Sequence, residues 1–164
     1  MGLTRVKYTQ VEKDVSNTGV VLQSSSANIP AMSGTTVVAW SNNQPSVSKG
    51  VEIWKLSLKI SDKRSKVLIS GSFLYNASSS GRTLVAYVFR DLECIGVTAG
   101  YCANSKALLP IYIDLVDTPA SDSTVNYSIR VAGTSNQTWR VNTLSKPYVN
   151  NLLDNGVINL QEIA

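Results

Sequence analysis

Apolar and polar residues alternate along IWKLSLKI at Ile53–Ile60, with Trp54, Leu56, Leu58 and Ile60 on one side and Lys55, Ser57 and Lys59 on the other. A period of two marks a strand with one buried and one wet face. SDKRS at Ser61–Ser65 then makes a charged turn, and VLISGSFLY at Val67–Tyr75 is apolar at nearly every position, interrupted by Gly71. A strand without alternation is covered on both faces, by a second sheet or by a neighbouring subunit. This hairpin is expected to be the centre of the protein.

The same pattern runs through the rest of the chain. Strands are expected at Thr36–Ser41, Thr83–Arg90 (again enclosed on both faces), Cys94–Val97, Ala107–Val116, Thr124–Ala132, around Trp139 and Val141, and at Val157–Ile163. Pro110 marks its strand as an edge or a bulge. In Thr124–Ala132 the side chains of Val125, Tyr127, Ile129 and Val131 should point inward. Within Leu144–Asn155 only Tyr148–Leu153 suits even a single helical turn, and no pattern of helical length occurs. Short strands at turn spacing of about 8–12 residues imply an all-β protein, a jelly-roll-like antiparallel β-sandwich. The first third offers little core: Leu3–Val11 alternates weakly, Val20–Leu22 is a brief apolar triplet, and Ser24–Pro30 reads as a loop of small residues. The expected division is an extended N-terminal arm over residues 1–32 and a sandwich over 33–164, with Met1–Pro30 dispensable for folding.

Composition narrows the chemistry. The 164 residues suffice for one domain with a proper core. Charged residues are only 16% and the net charge of +4 is scattered, so no basic stripe suggests nucleic acid. No run approaches the length of a membrane span, and MGLTRVKYTQ lacks the apolar region of a secretory signal. With no histidine, Ser–His and Cys–His nucleophilic sites are excluded, while Ser–Lys or carboxylate pairs stay open. The paired acids Asp114 and Asp117, and Asp91 and Glu93, lie at strand ends, where carboxylates ordinarily cap turns rather than flank a glycosidic cleft. Cys94 and Cys102 could close a short loop, yet two cysteines build no metal site or framework, and free thiols are expected. No cofactor is expected. The Asn-x-Ser/Thr triplets at Asn76, Asn126 and Asn136 are about what this composition produces by chance.

SKVLIS at Ser65–Ser70, VFRDLECIG at Val88–Gly96, LVDTPASDSTVNYSIRV at Leu115–Val131 and LQEIA at Leu160–Ala164 occur in this order. Together they resemble a domain of bacteriophage tail fibres and virion-attached spikes, over roughly Trp54–Ala164. In that family an Arg-Asp hairpin leads to Ile-Gly, an Asp-x-Pro turn precedes a Thr-x-Tyr strand, and the chain ends on a Glu-Ile strand. This chain departs from it in Leu92-Glu93, where a glycine-containing turn is usual, and in the loop bearing Cys94 and Cys102. The resemblance implies a jelly-roll knob that trimerises, acts in structure and adhesion without catalytic residues, and resides in the virion after assembly in the host cytoplasm.

The enclosed strands also imply a trimer, because they carry more apolar surface than one small sandwich covers. The arm would dock to other virion proteins. Alternate connections of antiparallel strands collect at opposite ends. That places Asn42–Gly50, Asn76–Arg82, Thr98–Lys106 and Gly133–Gln137 at one end, and Ser61–Ser65, Asp91–Glu93, Asp117–Ser123 and Leu144–Asn155 at the other, with the arm. The first set faces outward, and its candidate receptor contacts are Asn76, Arg82, Tyr101, Asn104, Asn136 and Gln137, groups suited to a host glycan or protein. The alternative is a capsid decoration or head-fibre trimer with no receptor. A polysaccharide-trimming enzyme would need a carboxylate constellation that these residues do not suggest.

Overall fold

The computed structural model describes residues 19–38, 43–105, 107–143 and 156–164. Two antiparallel sheets pack face to face. Sheet I holds β1 (Val21–Ile29), β2 (Met32–Gly34), β4 (Lys66–Ala77), β7 (Leu109–Asp117), β9 (Trp139–Val141) and β10 (Gly156–Ile163). Sheet II runs β3 (Val51–Lys59), β8 (Thr124–Gly133), β5 (Arg82–Arg90) and β6 (Glu93–Cys102), in that spatial order. β1 lies over β3, and β7 over β6. The expected all-β antiparallel sandwich is what the chain forms.

Sheet I is four lines wide, although it contains six strands. β10 flanks Lys66–Ser72 of β4, and β9 flanks Tyr75–Ala77 on the same side. β1 and β2 form the next line outward, and β7 runs along the opposite flank of β4. β9 and β10 are therefore one line interrupted after Val141. Asn142 repairs the break: its N–H donates to Leu74 O (2.9 Å), its Oδ1 accepts from Leu74 N (2.9 Å), and its Nδ2 donates to Ile29 O (2.8 Å). Its positive φ of 52° is one that Asn tolerates better than most residues. The line resumes at Gly156, where a Cβ would sit 2.5 Å from Ser72 O. At neighbouring Gly71 (φ 150°) a Cβ would lie 2.0 Å from Val157 O. Only glycine permits such an approach. Both ends of the β9–β10 connection thus lie beside Phe73 and Leu74, inside the sheet rather than at the turn end where it was expected. The helical turn expected at Tyr148–Leu153 lies outside the described residues.

The core forms where alternation demands it. Val125, Tyr127, Ile129 and Val131 of β8 are all buried, facing Val67, Ile69, Phe73 and Tyr75 of β4 across the sandwich. In β3 a bulge at Glu52–Trp54 shifts the register, so Ile53 and Trp54 are both buried. The Trp54 indole N–H reaches Ala27 O (3.1 Å) and ties sheet II to β1. β5 is buried on both faces, as its sequence suggests. Leu84, Ala86 and Val88 join the main core, while Val85, Tyr87 and Phe89 form a second cluster under Val38 and Val47 of the same chain. The outer face of β5 therefore needs no neighbouring subunit. The outer face of β4 is not enclosed: Leu68, Ser70, Ser72 and Leu74 are only half-buried.

Two N-terminal expectations are corrected. Ser24–Pro30 is not a loop, because Val21–Ile29 is a full strand paired with β10, with Ile29 wholly buried. Its small residues hid it, since Ser and Ala carry almost no hydrophobic signal. The expected strand Thr36–Ser41 shows, in its described part, a single bridge between Val37 and Gly133. The boundary expected at residue 32 falls within the first line of sheet I. The expected strand Leu3–Val11 lies outside the described residues.

Glu162 is a fully buried carboxylate. Its Oε1 accepts from Ser61 N (2.9 Å) and Ser61 Oγ (2.7 Å), and its Oε2 from Gln23 Nε2 (2.5 Å). Burial raises its pKa, but hydrogen bonds from Ser61, Gln23 and Ser65 outweigh that and bring it down to about 2. Cys94 and Cys102 are free thiols at opposite ends of β6, separated by about 26 Å at the usual strand rise, beyond the reach of a disulfide.

A chain beginning at Ser33 should fail to fold, because it strips the partner from β10 and removes Ile29 from the core. A chain beginning at Gly19 should stay soluble with a cooperative melt. Circular dichroism and thermal melts of the two check this, and a folded 33–164 fragment would refute it. The low pKa of Glu162 adds stability that is complete above its ordinary value of 4.5 and is lost as pH falls toward 2. Glu162→Gln should cost about 1.5–3 kcal/mol at pH 7. It should also flatten the acid limb of a denaturant-melt series between those pH values.

Candidate functional site at the loop end of the sandwich

The antiparallel order sends alternate connections to opposite ends. Residues 60–65, 91–92 and 118–123 gather at one end, here the turn end, where Lys63 pairs with Asp122 (3.6 Å) and Ile60 N donates to Ser123 O (3.1 Å). The connections 78–81, 103–108 and 134–138 meet at the other, the loop end. There Ser78 N donates to Thr138 O (2.8 Å), Gly81 N to Cys102 O (2.8 Å) and Ser105 N to Ser80 Oγ (3.3 Å). The expected grouping of these loops holds. The connection ending at Gly50 differs: Gln44 Nε2 donates to Cys94 O (2.9 Å) toward the turn end, while Gly50 abuts Val131 near the loop end. It runs the length of sheet II and covers β5.

The six candidate contact residues separate into two groups. Asn76 is fully buried, and its Nδ2 donates to the carbonyls of Ser105 and Ala107, both at 2.7 Å. Gln137 is buried against Gly133 and donates to Thr83 O (3.2 Å). Neither presents a side chain to a partner. Both hold loops in place. Arg82 is half-buried and committed to Ser79 Oγ (3.0 Å) and Ser135 Oγ (3.3 Å). Tyr101, Asn104 and Asn136 are the exposed members.

Tyr101 is 63% exposed at the end of β6. Its hydroxyl lies close to Gly81, 3.7 Å from where a Cβ would be, in the connection before β5. Exposed Ser80 stands beside it and was not singled out from sequence, where Ser78, Ser79 and Ser80 are indistinguishable. An aromatic ring fixed beside amide and hydroxyl groups can stack on an apolar face while hydrogen-bonding the rim of a ligand.

The carboxylates have other employment. Asp114 is exposed on the outer face of sheet I and Asp117 points inward, so the two do not converge. Asp91 accepts from Asn126 N (3.2 Å) and Nδ2 (2.8 Å), the expected turn cap. Asp117 is more than a cap. It is buried, and it accepts from Arg90 Nη1 (2.9 Å) at Oδ1 and from Tyr127 Oη (2.8 Å) at Oδ2. Arg90 also bonds Glu93 and Thr118 O. Burial, then the adjacent Asp117, pushes the Tyr127 pKa up. Residues 90, 91 and 117 are those of the Arg-Asp and Asp-x-Pro motifs, and with Tyr127 of the strand that follows they are gathered into one structural latch; Thr124 and Tyr127 stand three positions apart, one more than in a Thr-x-Tyr strand. No group of three His, Cys, Asp or Glu side chains able to hold a metal occurs among the described residues.

No family model and no curated protein matches the chain. Among solved structures it is similar to that of infectious bursal disease virus, Gt strain, at TM-score 0.41 and 10% identity over 86% of this chain and 37% of that one. The Gx strain structure gives 0.42 at 10% identity, and the VP2 subviral particle of the same virus 0.37 at 11%, with the same coverages. The chain thus spans little more than a third of each. Superpositions below a TM-score of 0.5 assign neither a family nor a role.

Asn76→Ala should destabilise the protein by about 1–3 kcal/mol, because the Ser105 and Ala107 carbonyls lose their donor in a buried setting. Tyr101→Ala and Asn136→Ala should stay within about 0.5 kcal/mol of wild type. Urea melts test the division, and equal losses at Asn76 and Tyr101 would abolish it.

Proposed function

We propose that the chain is a bacteriophage virion protein, a homotrimeric fibre or spike knob whose loop end contacts the host surface. The observation that carries this reading is Tyr101, an exposed ring on β6 at the loop end, where Ser80, Asn104 and Asn136 are also exposed. Surfaces of this composition suit a neutral glycan: the ring stacks on a sugar face and the amides bond its hydroxyls. The motifs of the tail-fibre and spike resemblance add support, since they coincide with the latch that closes the sandwich. The chain path supports this orientation. Gly19 N donates to Ala164 O (2.8 Å), and Val21 pairs with Ile163, so the described chain begins at the turn end. An arm docked to the particle leaves the loop end outermost.

Tyr101→Ala with Asn104→Ala should reduce adsorption of phage to host cells at least tenfold while the melting temperature stays within about 1 °C, because an exposed substitution seldom moves stability. Unchanged adsorption by the double variant overturns the loop-end contact. Particles that lose the protein, adsorb normally and break open more readily would assign the capsid-decoration role instead.

A further inference from the structure

Each sheet has two edges, and the sequence treats them unequally. Among the described residues β1 pairs only with β10 and β6 only with β5, while β7 and β3 form the opposite edges of their sheets. β3 exposes Glu52, Lys55 and Lys59, and β7 exposes Pro110 and Asp114. Charged side chains and proline at an edge discourage another strand from adding to it. β1 (VLQSSSANI) holds no charge and no proline. β6 (ECIGVTAGYC) has only Glu93, at its first residue and paired with Arg90. β1 lies over β3 and β7 over β6, so the two unguarded edges stand diagonally across the sandwich, one in each sheet and on opposite sides.

Both strands also leave apolar side chains in water: Val21 is 50% exposed and Val97 58%. Each has one bulge near its start, at Leu22 and at Ile95. Beyond it the ladder is regular, over Gln23–Ile29 in β1 and Gly96–Cys102 in β6, stretches of equal length. A side chain from elsewhere reaches one carbonyl on each strand, Trp54 at Ala27 O and Gln44 at Cys94 O. We infer that β1 of one copy adds to β6 of the next, so that copies of this chain join edge to edge in a ring. The occupant is a second copy because an open edge needs another open, uncharged strand of matching length, and the same chain carries one on its opposite side. Contacts of like with like do not serve, since β6 against β6 leaves β1 bare. One contact between unlike edges covers both. Because these edges lie on opposite sides of the sandwich, two copies cannot make that contact twice, and the smallest closed ring has three. Both strands run from the turn end toward the loop end, so rotation about an axis along the strands brings them together in parallel. Side chains point from the faces of a sheet rather than from its edge, so the pairing leaves Tyr101 and the loop end open.

The inference rests on the homotrimer reading above, and the two fail separately. The full chain at micromolar concentration should elute from gel filtration with a three-chain mass by light scattering. Ser26→Lys in β1 and Ala99→Lys in β6 each place a charge at an exposed position of one edge. Each alone should weaken association at least tenfold, with an unchanged circular dichroism spectrum. Val157→Lys, on the outer face of β10 one strand in from the edge, should keep the three-chain mass. Should an edge variant fail to fold, Asn28→Lys and Val97→Lys, also exposed on these strands, replace the pair. Dissociation by neither edge variant, or by only one, overturns the contact between unlike edges and leaves the homotrimer standing. A one-chain mass for the wild type overturns both. If a chain beginning at Gly19 responds to Ser26→Lys and the full chain does not, residues 1–18 cover β1 and the inference falls.

Discussion

The two sheets are joined most firmly at one buried carboxylate. Asp117 ends β7 in sheet I, and both its oxygens are taken by sheet II, one by Arg90 of β5 and one by Tyr127 of β8. Losing one partner of a buried charge costs about 3–5 kcal/mol, because the other is left unpaired in a poor solvent. The arrangement also fixes local geometry. Arg90 is the last residue of β5, and Asp91 after it takes a left-handed turn (φ 49°) and caps β8 at Asn126. One cluster thus sets where β5 and β7 stop, how β6 begins, and the separation of the sheets at the turn end. That cluster explains why short motifs far apart in the chain appear together: each supplies one part of the same contact.

A second constraint shapes sheet I. Splitting one line into β9 and β10 would leave backbone groups of Leu74 and Ile29 without ladder partners in a buried place, at a cost of about 1–3 kcal/mol each. The Asn142 side chain imitates the missing peptide and satisfies both neighbours. The sheet can therefore release a connection from its middle without losing continuity. Gly71 and Gly156 complete the device, since the returning chain meets β4 too closely for any side chain.

Legibility in the sequence followed hydrophobic contrast. β3, β5, β8 and β10 have large apolar residues at alternate or successive positions, and they were visible. β1 was not, because its inward residues Ser25 and Ala27 are small and only Ile29 is large. The two-sided burial of β5 was legible, but its cause was not. An apolar outer face looks the same whether a subunit or the chain's own Val38 and Val47 cover it. The loop-end grouping was legible from strand parity alone. Whether an asparagine in those loops faces solvent was not, since Asn76 and Asn104 have the same chemistry and only tertiary packing buries one. Asp117 resembled a turn cap for a similar reason: its partners Arg90 and Tyr127 are distant in sequence on one side and hidden by strand alternation on the other.

The buried polar residues of the loop end bear directly on what the exposed ones can do. A ligand held by mobile loops must order them, at about 0.5–1.5 kcal/mol for each side chain immobilised. Here that ordering is completed on folding. Asn76 fastens 105–107 to β4, Arg82 joins the serines of two loops, and Gln137 secures 134–138 to β5. Tyr101 is itself within a strand paired to Thr83, so its backbone is as fixed as the sheet. Weak contacts from one ring and a few amides can then yield useful affinity, especially if three copies act together through a shared particle. Rigidity at the loop end thus has two sources, the polar side chains consumed in anchoring its connections and the strand register that holds the ring, and together they leave the exposed amides and Tyr101 in fixed places before any ligand arrives.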